Sequence, residues 1–391
     1  MHLFFNGLAA SAGAGLTYFR NVVPELSSRT GTQITVALTP GLRREFKEAP
    51  KVSFLELGTS SATRRFWQEQ TLLPSLIQRC GADVLVSTGN FALRNSPVPQ
   101  VLLSGNSLYT SAEFYRDLRA RGDYRIFLDT RIKAIFARRS IHWANCTVAP
   151  SETYAKELRR WTGGNVVSIY HGFDADLFFR DSSSLPVDIQ QKLLSADNAL
   201  RLLFVSHYNY YRNFETLLRA IPILRGRMAP RKVKLFLTCK LSSGENPGSY
   251  RAEAAARLVR QLGISDHVVE LGAVPYHLLH HIYRTCDIYV TPAYAETFAH
   301  PLVEAMASGL PIVASDLDVH REVCGEAAIY FQCFSPEELA SQVLRIAFSQ
   351  DLAQTLADHG LSRSQAFSWP NHVDRILSLA CELIGFSRSR C

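Results

Sequence analysis

The stretch TPAYAETFAHPLVEAMASG, residues 291–309, decides the fold that the sequence predicts. It begins where a short apolar run, Ile288–Thr291, ends, and such runs are typical of buried parallel strands. Pro301 suits the first position of a helix, because its missing N–H would be unpaired there in any case. Gly309 suits the residue that follows a helix. The stretch therefore predicts a strand, a loop over 292–300 and a short helix over about 301–308.

Other short apolar runs alternate with segments of helical periodicity along the whole chain, and 391 residues exceed what one core usually supports. The pattern predicts an α/β protein with two Rossmann-like, doubly wound domains. A polar segment with a proline, 181–186, predicts domains at 1–180 and 190–370, and an amphipathic helix is predicted at about 371–391. The runs are Leu3–Asn6, Val84–Ser87, Val101–Ser104, Cys146–Ala149, Val166–Tyr170, Leu202–Ser206, Val233–Thr238, Val268–Leu271 and Ile312–Ser315.

Composition favours a cytoplasmic enzyme. The eight cysteines are scattered and form no CxxC pair, which is typical of reduced thiols rather than of a zinc or redox site. No apolar run approaches the roughly 20 residues that span a bilayer, and the first residues lack a basic leader. A histidine pair at His277 and His281 has metal-ligand spacing, but no third ligand is evident nearby, so no metal site is predicted.

Positive charge is concentrated in the first half of the chain. Residues 1–175 contain 21 Lys and Arg against 13 Asp and Glu, whereas the remainder contains 21 against 22. Between Tyr115 and Arg139, eight of these basic residues alternate with aromatic and aliphatic ones. Such a face predicts peripheral contact with an anionic membrane through the region Arg116–Arg139, and a solvated helix surface is the alternative. Nucleic acid is disfavoured as a partner, because no reader motif accompanies the charge.

Two glutamates flank the predicted strand–loop–helix junction. Glu296 falls in the loop and Glu304 in the first helical turn, and the carboxyl edge of a parallel sheet is where such folds bind ligands. A helix start offers N–H groups and a positive dipole end to a phosphate. Ionised carboxylates accept hydrogen bonds from hydroxyls, so the pair suits a sugar and a ribose on either side of a phosphate. An exposed loop carboxylate and simple compensation of the helix dipole are the structural alternatives.

This segment resembles the E-x7-E motif of the retaining family 4 glycosyltransferases. The matching residues are Glu296, Phe298, Glu304, Ala305, Met306, Ala307, Gly309, Pro311, Val313 and Ala314. Ala299 stands where the family usually has glycine. The resemblance implies the GT-B fold, with two domains facing across a cleft and the last helix crossing back to the N-terminal domain.

A second segment of the resemblance follows the run Leu202–Ser206. The family has Gly-Arg here and a lysine about five residues later, and these two cations hold the donor diphosphate. This chain has Ser206-His207, with Arg212 at the lysine position. Arginine is always charged and can bind phosphate with two parallel hydrogen bonds, whereas histidine is a weaker cation near neutral pH.

The resemblance also implies roles for individual residues. Arg212 and Glu296 are the predicted catalytic residues, since they would hold the leaving diphosphate and the donor sugar, and Glu304 would hold the ribose. Asn106 is an acceptor-side candidate, since it stands near where the family often has a histidine close to the reacting sugar. The remaining predicted donor contacts are Gly13, Gly15, Ser206, His207, Val274, Thr297, Phe298, Ala299, His300, Pro301 and Leu302.

The predicted function is therefore transfer of a hexose from a UDP- or GDP-sugar to a saccharide or lipid-linked acceptor, with retention at the anomeric carbon and no cofactor. Polysaccharide or glycolipid biosynthesis is the expected context. A non-catalytic nucleotide-sugar-binding protein of the same fold stays open as an alternative. An epimerase would need acid–base carboxylates that are not evident, and a phosphorylase would need a lysine for a pyridoxal cofactor that does not stand out.

Overall fold

The computed structural model describes residues 1–10, 14–48, 50–58, 61–242, 244–246 and 250–388. Within these residues the chain divides into two compact units. Unit 1 comprises 1–110, 127–172 and 368–391, and unit 2 comprises 111–126 and 173–367. The segment 111–126, which the sequence interpretation placed in the N-terminal domain, thus clusters with unit 2.

In chain order, the elements up to residue 172 are β1 (His2–Asn6), α1 (Ala14–Ser28), β2 (Gln33–Leu38), α2 (Pro40–Arg43), β3 (Val52–Glu56), α3 (Ala62–Arg79), β4 (Val84–Ser87), β5 (Gln100–Leu103), α4 (Ala112–Ala120), α5 (Tyr124–Trp143), β6 (Cys146–Ala149), α6 (Glu152–Thr162) and β7 (Val166–Ser168).

The elements after residue 172 are α7 (Ala175–Phe179), α8 (Val187–Leu194), β8 (Leu200–Phe204), α9 (Phe214–Met228), β9 (Val233–Leu237), α10 (Glu253–Gln261), β10 (Val268–Glu270), α11 (Leu279–Thr285), β11 (Ile288–Thr291), α12 (His300–Ala307), β12 (Ile312–Ser315), α13 (Asp318–Cys324), β13 (Ala328–Phe331), α14 (Pro336–Ala347), α15 (Gln350–Ser364) and α16 (Trp369–Arg388).

Unit 1 contains a sheet of seven parallel strands in the order β3-β2-β1-β4-β5-β6-β7. Successive side chains of a strand point to opposite faces, and both faces of β1 are buried. Leu3 and Phe5 pack with α1 and α16, whereas Phe4 packs with Leu73 and Ile77 of α3. Helices therefore cover the sheet on both sides, as the doubly wound prediction requires.

The last helix, α16, packs within unit 1, as the sequence resemblance implies. Its residues Val373 and Ile376 are almost fully buried in the core that α1 shares with the sheet. Its first residue also explains a glycine after β7. A Cβ atom on Gly172 would lie 2.2 Å from the backbone nitrogen of Trp369, so only glycine allows this approach.

Unit 2 contains a sheet of six parallel strands in the order β10-β9-β8-β11-β12-β13. Its first strand, β8, lies between β9 and β11, so the strand order reverses at the junction of β8 and β11. Open α/β sheets bind ligands at the carboxyl ends of the strands beside such a reversal. The two segments that leave these ends are 205–213 and 292–300, which are the two segments singled out from the sequence.

Candidate functional site

The segment after β8 forms a short 3-10 turn, Tyr210–Arg212, before α9 begins. The side chain of Asn209 accepts a hydrogen bond of 3.2 Å from the backbone N–H of Arg212 and so caps this turn. Asn213 adopts a left-handed conformation, with φ of 53°, and its side-chain amide donates to the carbonyl of Pro292 at 3.1 Å. These contacts fix the position of Arg212 relative to the loop that follows β11.

The loop over 292–300 is held at three successive residues. Asn213 binds the carbonyl of Pro292, and the hydroxyl of Ser315 donates to the carbonyl of Ala293. The backbone N–H of Tyr294 donates to the carbonyl of Tyr211 at 2.9 Å. A loop restrained in this way holds the side chain of Glu296, two residues after Tyr294, in a set position.

Arg212 and Glu296 form an ion pair between the two segments. The Arg212 side chain is 19% exposed and that of Glu296 10%. Burial alone would raise the pKa of Glu296, but the charge of Arg212, with smaller effects of His320 and of the Thr297 N–H, lowers it below its ordinary value. Burial opposes the charge on Arg212, yet the pair with Glu296 raises the arginine pKa further. Both side chains are therefore ionised at neutral pH.

The short helix α12 spans His300–Ala307, one residue earlier than predicted. Glu304 is consequently its fifth residue and lies in the second turn, not in the first, so compensation of the helix dipole does not explain it. The Glu304 side chain is buried, and Tyr283 of α11 donates a hydrogen bond to its Oε2 at 2.8 Å. Burial raises the pKa of Glu304 to about 7, against a lowering effect of the Tyr283 hydroxyl.

Tyr289 of β11 relates the two glutamates to each other. Burial raises the pKa of its hydroxyl, Arg212 opposes that shift, and Glu304 and Glu296 both add to it. The charges of Arg212, Glu296 and Glu304 thus all act on one buried hydroxyl. The sequence interpretation missed Tyr283 and Tyr289. The sequence signals were a tyrosine hydroxyl within the apolar strand β11, for Tyr289, and another on the preceding helix α11, for Tyr283.

The residue before α12, Ala299, has a left-handed backbone with φ of 64°. An L-residue pays roughly 1–2 kcal/mol for this conformation, which glycine adopts freely. The glycine that the family usually has at this position therefore has a backbone reason. The carbonyl of Ala299 accepts the first hydrogen bond of the helix turn, from Leu302 at 2.9 Å.

The other predicted donor residues around α12 have these surroundings. Thr297 is buried and its N–H donates to Oε1 of Glu296 at 3.1 Å, and the ring of Phe298 lies 5.1 Å from that of His300. Burial lowers the pKa of His300 to about 4, with a weaker opposing effect of Glu296, so its imidazole is neutral at pH 7. Pro301 is half-buried and accepts from the Tyr283 hydroxyl at 3.3 Å, and Leu302 is buried.

The two residues that replace the family's Gly-Arg lie directly after β8. The backbone N–H of Ser206 donates to the hydroxyl of Thr238 at 3.0 Å, and its own hydroxyl donates to the carbonyl of His207. His207 is exposed as a residue, yet burial of the imidazole and the charge of Arg212 both lower its pKa. It is therefore a poor cation at neutral pH. Val274 is half-buried in the turn after β10.

The three residues of unit 1 that were predicted to contact a substrate are Gly13, Gly15 and Asn106. Gly13 lies outside the described residues. Gly15 is in the first turn of α1, where an added Cβ would lie 2.9 Å from the Cα of Ala10, so close packing already accounts for this glycine. The Asn106 side chain caps the 3-10 turn Ser107–Tyr109 through the Leu108 N–H at 3.1 Å. Their contact with a substrate stays a prediction.

Two absences hold for the described part of the chain. No group of three His, Cys, Asp or Glu side chains lies close enough to hold a metal ion there. In the same residues, no helix combines the length and the apolar content needed to cross a bilayer.

Comparison with known proteins now bears on this site. Residues 188–362 match the family model described as glycosyl transferases group 1. This part of the chain is therefore similar to that family. The match contains all the predicted unit 2 site residues, so the resemblance inferred from 291–309 and 202–214 is confirmed there.

A curated relative, D-inositol 3-phosphate glycosyltransferase 2 of Catenulispora acidiphila, is 34% identical over 184 residues, which are 44% of this chain and 40% of the relative. The alignments with this and three similar relatives span 40% to 64% of the length of those proteins. The likeness to these relatives as whole proteins is therefore partial.

Solved structures extend the likeness to the whole chain at the level of fold. Sucrose-phosphate synthase from Thermosynechococcus elongatus is 17% identical, with a TM-score of 0.77, and covers 98% of this chain and 99% of its own. HepE of Anabaena, in complex with UDP and glucose, is 18% identical, with a TM-score of 0.70 and coverage of 98% and 100%. The GT-B fold class predicted from the sequence is confirmed.

Proposed function

We propose that this protein transfers a hexose from a UDP- or GDP-sugar to a saccharide or lipid-linked acceptor with retention at the anomeric carbon. The observation that carries the proposal is the partly buried Arg212–Glu296 pair in the segments that follow β8 and β11, at the strand ends where the second sheet reverses its order. The similarity of residues 188–362 to the group 1 family supports the same chemistry.

The Arg212–Glu296 ion pair is compatible with a site that binds an anionic ligand through Arg212. A buried arginine without a counter-charge is costly, and Glu296 supplies that charge in the protein alone. A donor diphosphate would give Arg212 a second anionic partner. Arg212 would then stabilise the negative charge that develops on the diphosphate as it leaves. Glu296 would then have an oxygen available for a hydroxyl of the sugar. The N-terminal end of α12 would add its dipole to the stabilisation of the phosphate.

Glu304 suits the ribose of the nucleotide. Its carboxyl group is buried next to Tyr283, and a pKa of about 7 means that protonated and ionised forms coexist at neutral pH. A ribose diol can donate to the ionised form and accept from the protonated one. The acceptor would bind to unit 1, for which Asn106 is the candidate contact. No cofactor enters this scheme, since the nucleotide sugar supplies the leaving group.

Unit 1 also has a surface that fits peripheral contact with an anionic membrane, in the cytoplasm. On α5, Leu128, Ile132, Ile135 and Phe136 form an exposed stripe at helical spacing, and Leu128 is 61% exposed. We call these four residues the α5 apolar face. The exposed basic residues Arg131, Lys133, Arg138 and Arg139 flank it. Apolar side chains bordered by arginine and lysine are what an anionic lipid surface binds.

Nearby residues extend this surface. The ring of Phe136 lies 5.6 Å from that of Phe66 on α3, and the adjoining Trp67 is 63% exposed. Tryptophan is favoured at the boundary between water and lipid. The seven cysteines that the structure describes are all free, which supports a reducing compartment.

A thermal-shift screen against UDP-, GDP- and ADP-sugars tests the proposal, because a ligand that binds only the native state raises the melting temperature. We expect one nucleotide class to raise it, and Arg212→Ala to abolish the shift. Turnover of the stabilising sugar with a saccharide acceptor would then establish transfer. Binding without transfer or hydrolysis would favour the non-catalytic alternative, and no binding by any nucleotide sugar would contradict both.

A further inference from the structure

The segment 111–126 lies in the first half of the chain but is part of unit 2, which contains Arg212 and Glu296. Residues 1–110 and 127–172 on either side of it belong to unit 1, but this segment, which contains α4, clusters with unit 2. The sequence interpretation treated it only as part of a basic surface. Its inward side chains make polar contacts with both segments that carry the Arg212–Glu296 pair.

Asp117 of α4 contacts the loop that bears Glu296. The hydroxyl of Tyr294, two residues before Glu296, donates to Oδ2 of Asp117 at 2.8 Å. The Asp117 side chain is 19% exposed. Burial, the charge of Asp117 and this hydrogen bond raise the pKa of Tyr294, so its hydroxyl keeps the proton that it donates. A hydrogen bond to a charged acceptor is stronger than a neutral one and is short and directional.

Arg121 connects Asp117 to the helix that follows the Arg212 turn. Its Nε donates to Oδ1 of Asp117 at 2.7 Å, and its Nη1 donates to Oε1 of Glu215 at 2.8 Å. The guanidinium also lies 4.2 Å from the centre of the Tyr210 ring, in the same 3-10 turn as Arg212. One arginine thus joins two carboxylates, one from α4 and one from the first turn of α9.

An aromatic contact completes the link to Arg212. The ring of Phe114 on α4 lies 6.3 Å from that of Tyr211 in an edge-to-face arrangement. Tyr211 precedes Arg212 and also accepts the hydrogen bond from the N–H of Tyr294. The segments bearing Arg212 and Glu296 are therefore joined to each other by their backbones and joined again through α4.

We propose that Asp117 is a positioning residue for the Arg212–Glu296 pair. Through Tyr294 and Arg121 it sets the spacing of the two segments that would hold the diphosphate and the donor sugar. The inference rests on the proposed transferase function. Small displacements of catalytic groups lower the rate more than they lower substrate affinity, since the transition state is more demanding than the ground state.

The experiment compares four single variants and one double variant of the full chain in steady-state transfer, with the nucleotide sugar that stabilises the wild type as donor. Asp117→Ala removes both contacts, Asp117→Asn keeps an acceptor for Tyr294 but loses the charge opposite Arg121, and Tyr294→Phe removes only the hydroxyl. Glu113→Gln is the matched control, because Glu113 is on the same helix and pairs only with the exposed Arg116 among its described hydrogen bonds.

We expect Asp117→Ala to lower kcat about 10-fold or more, with KM for the donor changed by less than about threefold. Tyr294→Phe and Asp117→Asn should fall between it and the wild type, and Glu113→Gln should match the wild type. The double variant Asp117→Ala/Tyr294→Phe should be no slower than Asp117→Ala within about twofold, because both changes remove one interaction.

Three results would overturn the inference. They are a kcat of Asp117→Ala within about twofold of the wild type, a loss confined to KM, and a loss equal to the fraction of protein unfolded at the assay temperature. A wild type that turns over no nucleotide sugar would instead refute the proposed function, and the inference with it. The wild-type assay therefore separates the two failures.

Discussion

Arg212 and Glu296 lie 84 positions apart in the chain and form one partly buried ion pair. Each comes from a segment that leaves the carboxyl end of a strand, β8 for Arg212 and β11 for Glu296. Because these strands are neighbours where the sheet reverses its order, the two segments necessarily meet. The topology of the sheet thus brings together two side chains that are distant in sequence.

Removal of one member of this pair should affect stability as well as activity. Arg212→Met leaves Glu296 charged and buried, and such losses cost about 3–5 kcal/mol. The double variant Arg212→Met/Glu296→Leu should be more stable than Arg212→Met alone, although both should lack transfer activity. Urea unfolding of the three proteins measures this coupling. Equal stability of single and double variants would show that the pair is not the dominant contact of either residue.

The raised pKa of Glu304 predicts a pH-dependent difference between the wild type and Glu304→Gln. Between its ordinary value of 4.5 and about 7, Glu304 is protonated in the native state and ionised in the unfolded state. The native state then binds more protons, so the free energy of unfolding of the wild type falls as pH rises through this window. Glutamine has no such titration.

Glu304→Gln should therefore gain stability relative to the wild type from pH 4.5 to 7 and show no further gain above that range. Unfolding at a series of pH values with a constant salt concentration measures the difference. Glu338→Gln is a suitable control, because Glu338 is an exposed carboxylate that accepts from the backbone N–H of Gln332. A flat difference profile for Glu304→Gln would contradict the raised pKa.

Local sequence predicted much of the fold, and its errors have physical causes. The strands Val84–Ser87, Cys146–Ala149, Ile288–Thr291 and Ile312–Ser315 have the bounds that the sequence predicts, because each is mostly apolar and contains no charged residue. Three strands were not singled out, namely β2, β3 and β13. In β3, a polar residue and a terminal glutamate interrupt the apolar run, as expected of a strand at the edge of its sheet.

The site was predictable only where one segment contains it. Glu296, Glu304 and Arg212 were found from their local motifs, but their partners Tyr283 and Asp117 lie on other elements and carry no local signal. Asp117 in particular stands in a segment whose neighbours in sequence belong to unit 1. Only the tertiary structure shows that its carboxylate accepts from Tyr294.

The left-handed backbone of Ala299 predicts that glycine stabilises the protein at this position. Relief of the strain contributes roughly 1–2 kcal/mol, and the greater freedom of glycine in the unfolded chain offsets about 0.5–1 kcal/mol. Ala299→Gly should thus raise the free energy of unfolding by about 0.5–1 kcal/mol. Ala305→Gly, within the same helix and fully buried, should lower it. Loss of stability in both variants would refute the strain at Ala299.

The α5 apolar face predicts binding to anionic vesicles that depends on both charge and apolar area. Ile132→Ser/Ile135→Ser should reduce sedimentation with phosphatidylserine vesicles by about 10-fold or more, and raised salt should weaken the wild type's binding. Val187→Ser is the matched control, because Val187 is 69% exposed but lies in unit 2. Equal binding to anionic and zwitterionic vesicles, or none, would exclude this surface as a membrane contact.

His207 occupies the position at which the retaining family 4 glycosyltransferases have an arginine. Its pKa is lowered from the ordinary 6.5, so the imidazole is mostly uncharged at pH 7. His207→Arg should therefore lower the Kd for UDP several-fold at pH 7.5, because a permanent charge is added beside Arg212. The gain over the wild type should shrink at acid pH, below the ordinary histidine pKa of 6.5, as His207 itself becomes protonated. Calorimetric titration with UDP at pH 7.5 and at a pH below 6.5 measures the gain in affinity and its decrease at acid pH. His359→Arg adds the same charge at an exposed site on α15 and should leave the Kd unchanged. If His207→Arg binds UDP no better than His359→Arg at pH 7.5, the diphosphate does not lie beside the end of β8.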